Sequence, residues 1–254
     1  MQGLCGLGVL VTRPEHQAAP LCRLLEAEGA EVYPFAALRI EPIAPARPAT
    51  GGRFDLLIFV SANAVRCGAA LLASHRDAPL AAVGPATARA LREAGYPVSI
   101  QPAGGFDSAS LLADPRLRDL AGRRLLLVKG IGGRGLLETE LKARGASVEV
   151  ADVYRRAPAA PSAETVSALT ERFAAIRLHV VTATSGEVAE ALWHCASPAL
   201  RAYLQRAHWL VPSDRVGRIV RGLGVDAPLL RAASAEDQDL VAELLRWRSS
   251  ESVA

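Results

Sequence analysis

Residues 8–14, Gly8-Val9-Leu10-Val11-Thr12-Arg13-Pro14, are a short apolar run that stops at a proline, and Arg124-Leu125-Leu126-Leu127-Val128-Lys129 repeats the run at an offset of 116. A brief, unbroken apolar run between polar residues reads as a strand buried on both faces, the pattern of a parallel sheet. After the first run Ala18, Leu21, Cys22 and Leu25 recur at helical spacing, and Gly29 closes the segment. Thr12 and Glu15 have capping-box spacing with Pro14 in the first turn, so a helix is expected to begin here. The same offset carries Gly29-Ala30 onto Gly145-Ala146, so strand, helix and turn superpose without a gap.

Working outward, further strand candidates fall at 31–35, 54–60, 80–83, 97–101, 147–152, 178–181, 208–211 and 226–230, with amphipathic helical stretches between most of them. Phe59-Val60-Ser61 resembles Ala183-Thr184-Ser185 at an offset of 124, and 84–95 resembles 213–224 at an offset of 129. Offsets that grow only between elements are what loop insertions in a duplicated five-strand unit would leave. Strands alternating with helices imply parallel sheets. The expected fold class is therefore α/β: two similar parallel-sheet domains joined by a two-stranded β linker, with a cleft between them. Pro/Ala-rich stretches at 42–52 and 157–163 follow the second strand of each repeat. They divide the chain into a discontinuous first domain (1–38 plus 160–254), linker strands (39–45 and 150–159) and a second domain (46–149).

Composition narrows the function classes. Half of the 254 residues are hydrophobic and 22% are charged, which excludes a disordered chain. A net charge of +3 is too mild to demand nucleic acid as a partner. The four cysteines (Cys5, Cys22, Cys67 and Cys195) have neither a CxxC pair nor zinc spacing, which suits reduced thiols packed mostly in the core. The apolar start lacks a basic segment and a cleavage pattern, and no apolar run approaches the roughly 20 residues of a membrane span. A cytoplasmic protein without membrane contact is the expectation.

Gly130-Ile131-Gly132-Gly133-Arg134-Gly135 is a literal GxGxxG after a strand, with Glu149 about 20 residues on, which would suit a dinucleotide. The equivalent turn of the first repeat has no glycines, and a Gly-rich anion-binding turn beside Lys129 and Arg134 is the broader reading. Strand ends elsewhere carry small polar residues where helices begin: Ser61 with Asn63, Thr87 after Gly84-Pro85, Ser185 after Thr184, and Ser213 after Pro212. Each alone is a helix cap. Together, at the carboxyl ends of parallel strands, they form surfaces suited to a ligand with several carboxylates or phosphates. No GxSxG, HExxH or paired-carboxylate signature is present, and Tyr154, where the chain would return between domains, reads either as an interfacial tyrosine with its ring packed or as a weak acid usable for short-range proton donation. A non-catalytic two-domain binder of small anions and a nucleotide-dependent oxidoreductase are the competing classes.

An ordered set of segments resembles the uroporphyrinogen-III synthase family, in its proteobacterial branch. It comprises Val11-Thr12-Arg13-Pro14, the block from Asp55 through Ser61 and Asn63 to Val65, and Val83-Gly84-Pro85-Ala86-Thr87. It continues with Phe106-Asp107-Ser108, Gly132-Gly133-Arg134, Val153-Tyr154, Thr184-Ser185, Ser213-Asp214-Arg215 and the tail from Ala235 to Leu240. The resemblance implies an enzyme without cofactor or metal whose substrate is hydroxymethylbilane, a linear tetrapyrrole octacarboxylate. It implies loss of the hydroxymethyl oxygen as water, inversion of ring D through a spiro intermediate, and closure to uroporphyrinogen III. It further implies a monomer to which the preceding hydroxymethylbilane synthase supplies substrate. By position, Tyr154 would protonate the departing hydroxyl. Thr87, Ser61, Asn63, Ser185 and Ser213 would bind carboxylates, and Arg13, Lys129 and Arg134 would add rim charge. Val60 and Val211-Pro212-Ser213-Asp214 depart from the family pattern.

Overall fold

A computed structural model describes residues 3–45, 52–105, 107–133, 135–175 and 178–251. In chain order the described elements are β1 (Gly8–Val11), α1 (Glu15–Ala27), β2 (Glu31–Pro34), β3 (Leu38–Pro42), β4 (Leu56–Phe59), α2 (Ala62–Cys67), α3 (Ala69–Ser74), β5 (Leu80–Ala82), α4 (Pro85–Glu93) and α5 (Ser108–Leu112). There follow β6 (Arg124–Gly130), α6 (Leu136–Ala143), β7 (Ser147–Pro158), α7 (Ala163–Ala175), β8 (Leu178–Thr182), α8 (Gly186–Cys195), α9 (Pro198–Arg206), β9 (His208–Val211), α10 (Asp214–Gly222), β10 (Leu229–Arg231) and α11 (Asp237–Glu251). The chain clusters into two compact units, 1–39 with 157–254 and 40–156.

The first unit holds the sheet β10-β9-β8-β1-β2, with every pairing parallel. Its strands alternate across the sheet. Val9 and Val11 pack with α1 and α11 residues such as Leu21 and Leu244, while Leu10 faces the opposite cluster with Trp209 and Phe173. The second unit holds the sheet β3-β7-β6-β4-β5. Leu57 and Phe59 lie on one face with Leu91, and Leu56 and Ile58 on the other with Leu141. Burial on both faces explains why these strands read as continuous apolar runs. At the sheet edge β3 runs against β7: Ile43 donates its amide to the Val153 carbonyl and Ala159 to the Ala37 carbonyl, so the two run in opposite directions.

The repeat inferred from the sequence recurs at the ends of its first helices with the same hydrogen bonds. Gly29 and Gly145 have φ near +90°, the left-handed conformation that favours glycine, and each ends a helix. At Gly29 the amides of residues 29 and 30 reach the carbonyls of Glu26 and Leu25; at Gly145 the amides of 145 and 146 reach Lys142 and Leu141. Leaving aside the edge strand β3, the two sheets have one order, β2-β1-β8-β9-β10 matching β7-β6-β4-β5. The fifth strand, expected at 97–101, is reduced to a single parallel bridge between Ala81 and Ile100. Pro97 lacks an amide hydrogen, and the amides of Ser99 and Ile100 both crowd onto the Leu80 carbonyl, so no regular ladder extends from there.

The expected capping box at the start of α1 does not form. Pro14 is the N-cap and the cap receives no side-chain bond. Thr12, almost wholly buried, donates its hydroxyl to the Thr182 carbonyl, and the Thr182 hydroxyl donates to the Leu10 carbonyl at 3.3 Å. A buried carbonyl without a donor costs more than an exposed cap left open, so the hydroxyl goes to the strand end.

Two predictions follow from these contacts. Thr12→Val, which keeps shape and removes the donor, should destabilise by about 1–2 kcal/mol and lower the melting temperature by roughly 2–6 °C in a thermal scan. Burial raises the pKa of the Cys22 and Cys195 thiols, so each holds less thiolate at neutral pH than an ordinary cysteine. A thiol reagent at pH 7 should therefore label exposed Cys5 first and the other two more slowly, with their rates rising as pH increases.

Candidate functional site

In the second unit the strand order reverses between β6 and β4, the place where doubly wound sheets open a crevice at their carboxyl ends. A pocket of about 440 Å³ lies there, lined among others by Val60, Val83, Lys129, Gly130 and Tyr154. Tyr154 reaches it through an irregularity in β7. Lys129 pairs with Asp152 but Gly130 pairs with Tyr154, so one residue of β7 is passed over. The Tyr154 backbone is tied back by the Ile131 amide, which donates to its carbonyl at 2.8 Å.

The Tyr154 ring lies flat against Gly130. A Cβ built on Gly130 would meet the ring's Cζ at 2.5 Å and Cε2 at 2.6 Å. Glycine is required here for space, since any side chain would occupy the ring's seat. With only 3% of the residue exposed, the ring is held and its hydroxyl stands 3.1 Å from the Ser61 Oγ. Ser61 also caps α2, accepting the Ala64 amide at 3.1 Å. Either hydroxyl can donate to the other. Once the phenol has released its proton, Ser61 can donate to the phenolate while still accepting from Ala64, which stabilises the charge as it forms.

The other strand ends share this local geometry. Ser185 and Ser213 end the neighbouring strands β8 and β9 in extended backbone, and their hydroxyls accept the amides of Val188 at 3.2 Å and Val216 at 3.4 Å. Thr87 differs from them. Gly84 is the N-cap of α4, and Thr87 sits within the first turn, 4% exposed, with no side-chain hydrogen bond among the described residues. Asn63 lies in the first turn of α2, where Arg66 reaches its Oδ1 at 3.5 Å.

The cations are engaged within the chain. Arg13 pairs with Asp237 and donates to the Ala235 carbonyl, joining the end of β1 to the start of α11. The Lys129 ammonium donates to the Gly132 carbonyl at 3.0 Å and the Gly130 carbonyl at 3.4 Å, and lies 3.3 Å from Asp152. Arg134 and Phe106 lie outside the described residues. Glu149 does not serve as a dinucleotide acid. It pairs with Leu126, four residues before the turn begins, and its carboxylate binds Arg124 at 2.7 Å. Among the described residues no group of three or more His, Cys, Asp or Glu could hold a metal ion, and no helix is long and apolar enough to cross a membrane.

Sequence reasoning singled out Tyr154, Ser61 and Lys129 one at a time and missed that they converge. It also missed Gly130 as the ring's seat and Asp152 as the partner of Lys129. The spacing Lys129–Asp152 is visible in the chain, but the passed-over residue that puts Tyr154 opposite Gly130 leaves no mark in composition or period. Gly130→Ala should push the ring out of its seat, break the Tyr154–Ser61 bond and destabilise by about 1–3 kcal/mol, checked by crystallography and a denaturant titration.

Comparison with known proteins gives a consistent picture. A family model described as Uroporphyrinogen-III synthase HemD matches residues 19–241. The uroporphyrinogen-III synthase of Salmonella typhimurium is 31% identical over 257 residues, covering 94% of this chain and all of that protein. That of Escherichia coli is 30% identical over 258 residues, with the same coverage. Among solved structures, uroporphyrinogen-III synthetase from Helicobacter pylori aligns with a TM-score of 0.62 at 14% identity, covering 95% of this chain and 99% of that one. A mutant uroporphyrinogen III synthase from Thermus thermophilus aligns with a TM-score of 0.57 at 23% identity, covering 98% and 100%. These two likenesses are of fold.

Proposed function

The chain belongs to the uroporphyrinogen-III synthase family, and on that premise we propose that it is a cyclising hydro-lyase that converts hydroxymethylbilane to uroporphyrinogen III in tetrapyrrole synthesis. Tyr154 donates its proton to the hydroxymethyl oxygen as the carbon–oxygen bond breaks, and water leaves. The remaining azafulvene is cationic. Ring D inverts through the spiro intermediate and the macrocycle closes. The proton that ring D then loses balances the one Tyr154 gave, so the net change is the loss of one water.

The observation that carries this reading is the hydroxyl pair of Tyr154 and Ser61 at 3.1 Å beside the pocket at the strand ends. A phenol is a weak acid at neutral pH, so it serves only where its conjugate base is stabilised at once, and Ser61 supplies that bond. The substrate ionises and cyclises without strong acid or base, so most of the catalysis is conformational. Its octacarboxylate periphery suits hydroxyls and helix amides better than buried carboxylates. Thr87, whose hydroxyl makes no hydrogen bond among the described residues, is the strongest candidate to bind a substrate carboxylate. Asn63, in the first turn of α2, supplies a further amide contact. Arg13 and Lys129 are each held in an ion pair, with Asp237 and Asp152 respectively.

A coupled assay tests the reading. Hydroxymethylbilane is generated in place from porphobilinogen, the products are oxidised, and the isomers are separated by chromatography. Type III isomer should rise in proportion to this protein. Tyr154→Phe should lower kcat by roughly a hundredfold, while Thr87→Val should act mainly on KM. Type I isomer alone, at the spontaneous rate, would leave a non-catalytic anion binder.

A further inference from the structure

Lys129 is one of only two lysines in a chain otherwise basic through arginine, so a compact ammonium at this position stands out. Its Nζ lies 3.0 Å from the Gly132 carbonyl, 3.4 Å from the Gly130 carbonyl and 3.3 Å from Asp152. The Oδ1 of Asp152 is buried and takes no hydrogen bond among the described residues, so the ammonium is the charge that answers it. Two carbonyls and a carboxylate gathered around one nitrogen suit the compact charge of an ammonium better than the planar fork of a guanidinium. Gly130, whose carbonyl Lys129 holds, carries the Tyr154 ring on its Cα, and the next amide, Ile131, donates to the Tyr154 carbonyl at 2.8 Å. In the turn that follows, Gly132 and Gly133 have φ of 85° and 91°, and Ile131 is 53% exposed.

We infer that Lys129 is a positioning residue. It clamps the Gly130–Gly132 turn to β7 and thereby holds the Tyr154 hydroxyl in register with Ser61, instead of serving as a rim charge for substrate. The inference rests on the reading of Tyr154 as the proton donor. Removing the ammonium releases two carbonyls and leaves Asp152 unanswered, so the turn lifts and the ring loses its seat. An effect exerted through Tyr154 lowers kcat and leaves KM almost unchanged. It also vanishes once Tyr154 is gone, because two residues acting through one group are not additive.

The test is a double-mutant cycle on the full chain, read by type III formation and by amide exchange. Lys129→Met should lower kcat about tenfold with KM within twofold of wild type, and Lys129→Arg should not restore it. In the Tyr154→Phe background Lys129→Met should cost nothing further. The Ile131 amide should exchange at least tenfold faster in Lys129→Met while that of Leu127, inside β6, keeps its rate. Should Lys129→Met fail to fold, Asp152→Asn releases the same clamp and should shift kcat and Ile131 exchange in the same direction. A raised KM that depends on ionic strength, full rescue by arginine, an additive double mutant or unchanged Ile131 exchange would each overturn the clamp. If the wild-type chain forms no type III isomer, the functional reading fails by itself, and Ile131 exchange still decides whether the clamp exists.

Discussion

Helices cover both faces of each sheet, so the side chains of the central strands β1 and β4 are surrounded by apolar neighbours, and polar groups gather where those strands end. A carboxylate or hydroxyl in mid-strand would be stripped of water without a partner, at a cost of a few kcal/mol. At the carboxyl ends, the strand turns into a helix whose first amides lack partners, and small hydroxyl residues meet them. Ser61, Ser185 and Ser213 do so with nearly the same backbone angles, because each solves the same local problem.

The two units put one topology to different ends. In both, the strand order reverses next to the first strand of the repeat, β1 in one and β6 in the other. At the end of β1, Thr12 and Thr182 hydrogen-bond one another, and Arg13 ties the strand end to Asp237. At the end of β6 a glycine leaves room for an aromatic ring, the strand pairing skips a residue, and a pocket remains with a phenol at its wall.

The fold was legible because its signals are local and repeated. The apolar runs of β1 and β6 and the glycines at 29 and 145 recur at one offset, and the structure returns them with matching hydrogen bonds. Where reading by local rules went astray, a tertiary demand had won. The Thr12 hydroxyl left its cap position because a buried carbonyl 170 residues away needed a donor. The strand expected at 97–101 shrank to one bridge between Ala81 and Ile100, where the amides of Ser99 and Ile100 both turn to the Leu80 carbonyl and Pro97 has no amide to give. Glu149, placed by spacing beside the glycine-rich turn, sits toward the other end of the sheet in an ion pair with Arg124.

Sequence by itself determined the α/β class, the repeat, the family and the residue types available at each strand end, since these follow from period, composition and ordered motifs along the chain. Tertiary structure decided which of those residues meet. Tyr154 faces Gly130 only because β7 passes over one residue opposite β6. The Lys129 ammonium turns to carbonyls and Asp152 only because the glycine turn folds back over it. Such pairings depend on register between strands that are distant in the chain, and register is set by how both faces of a sheet pack at once, which no single stretch of sequence encodes.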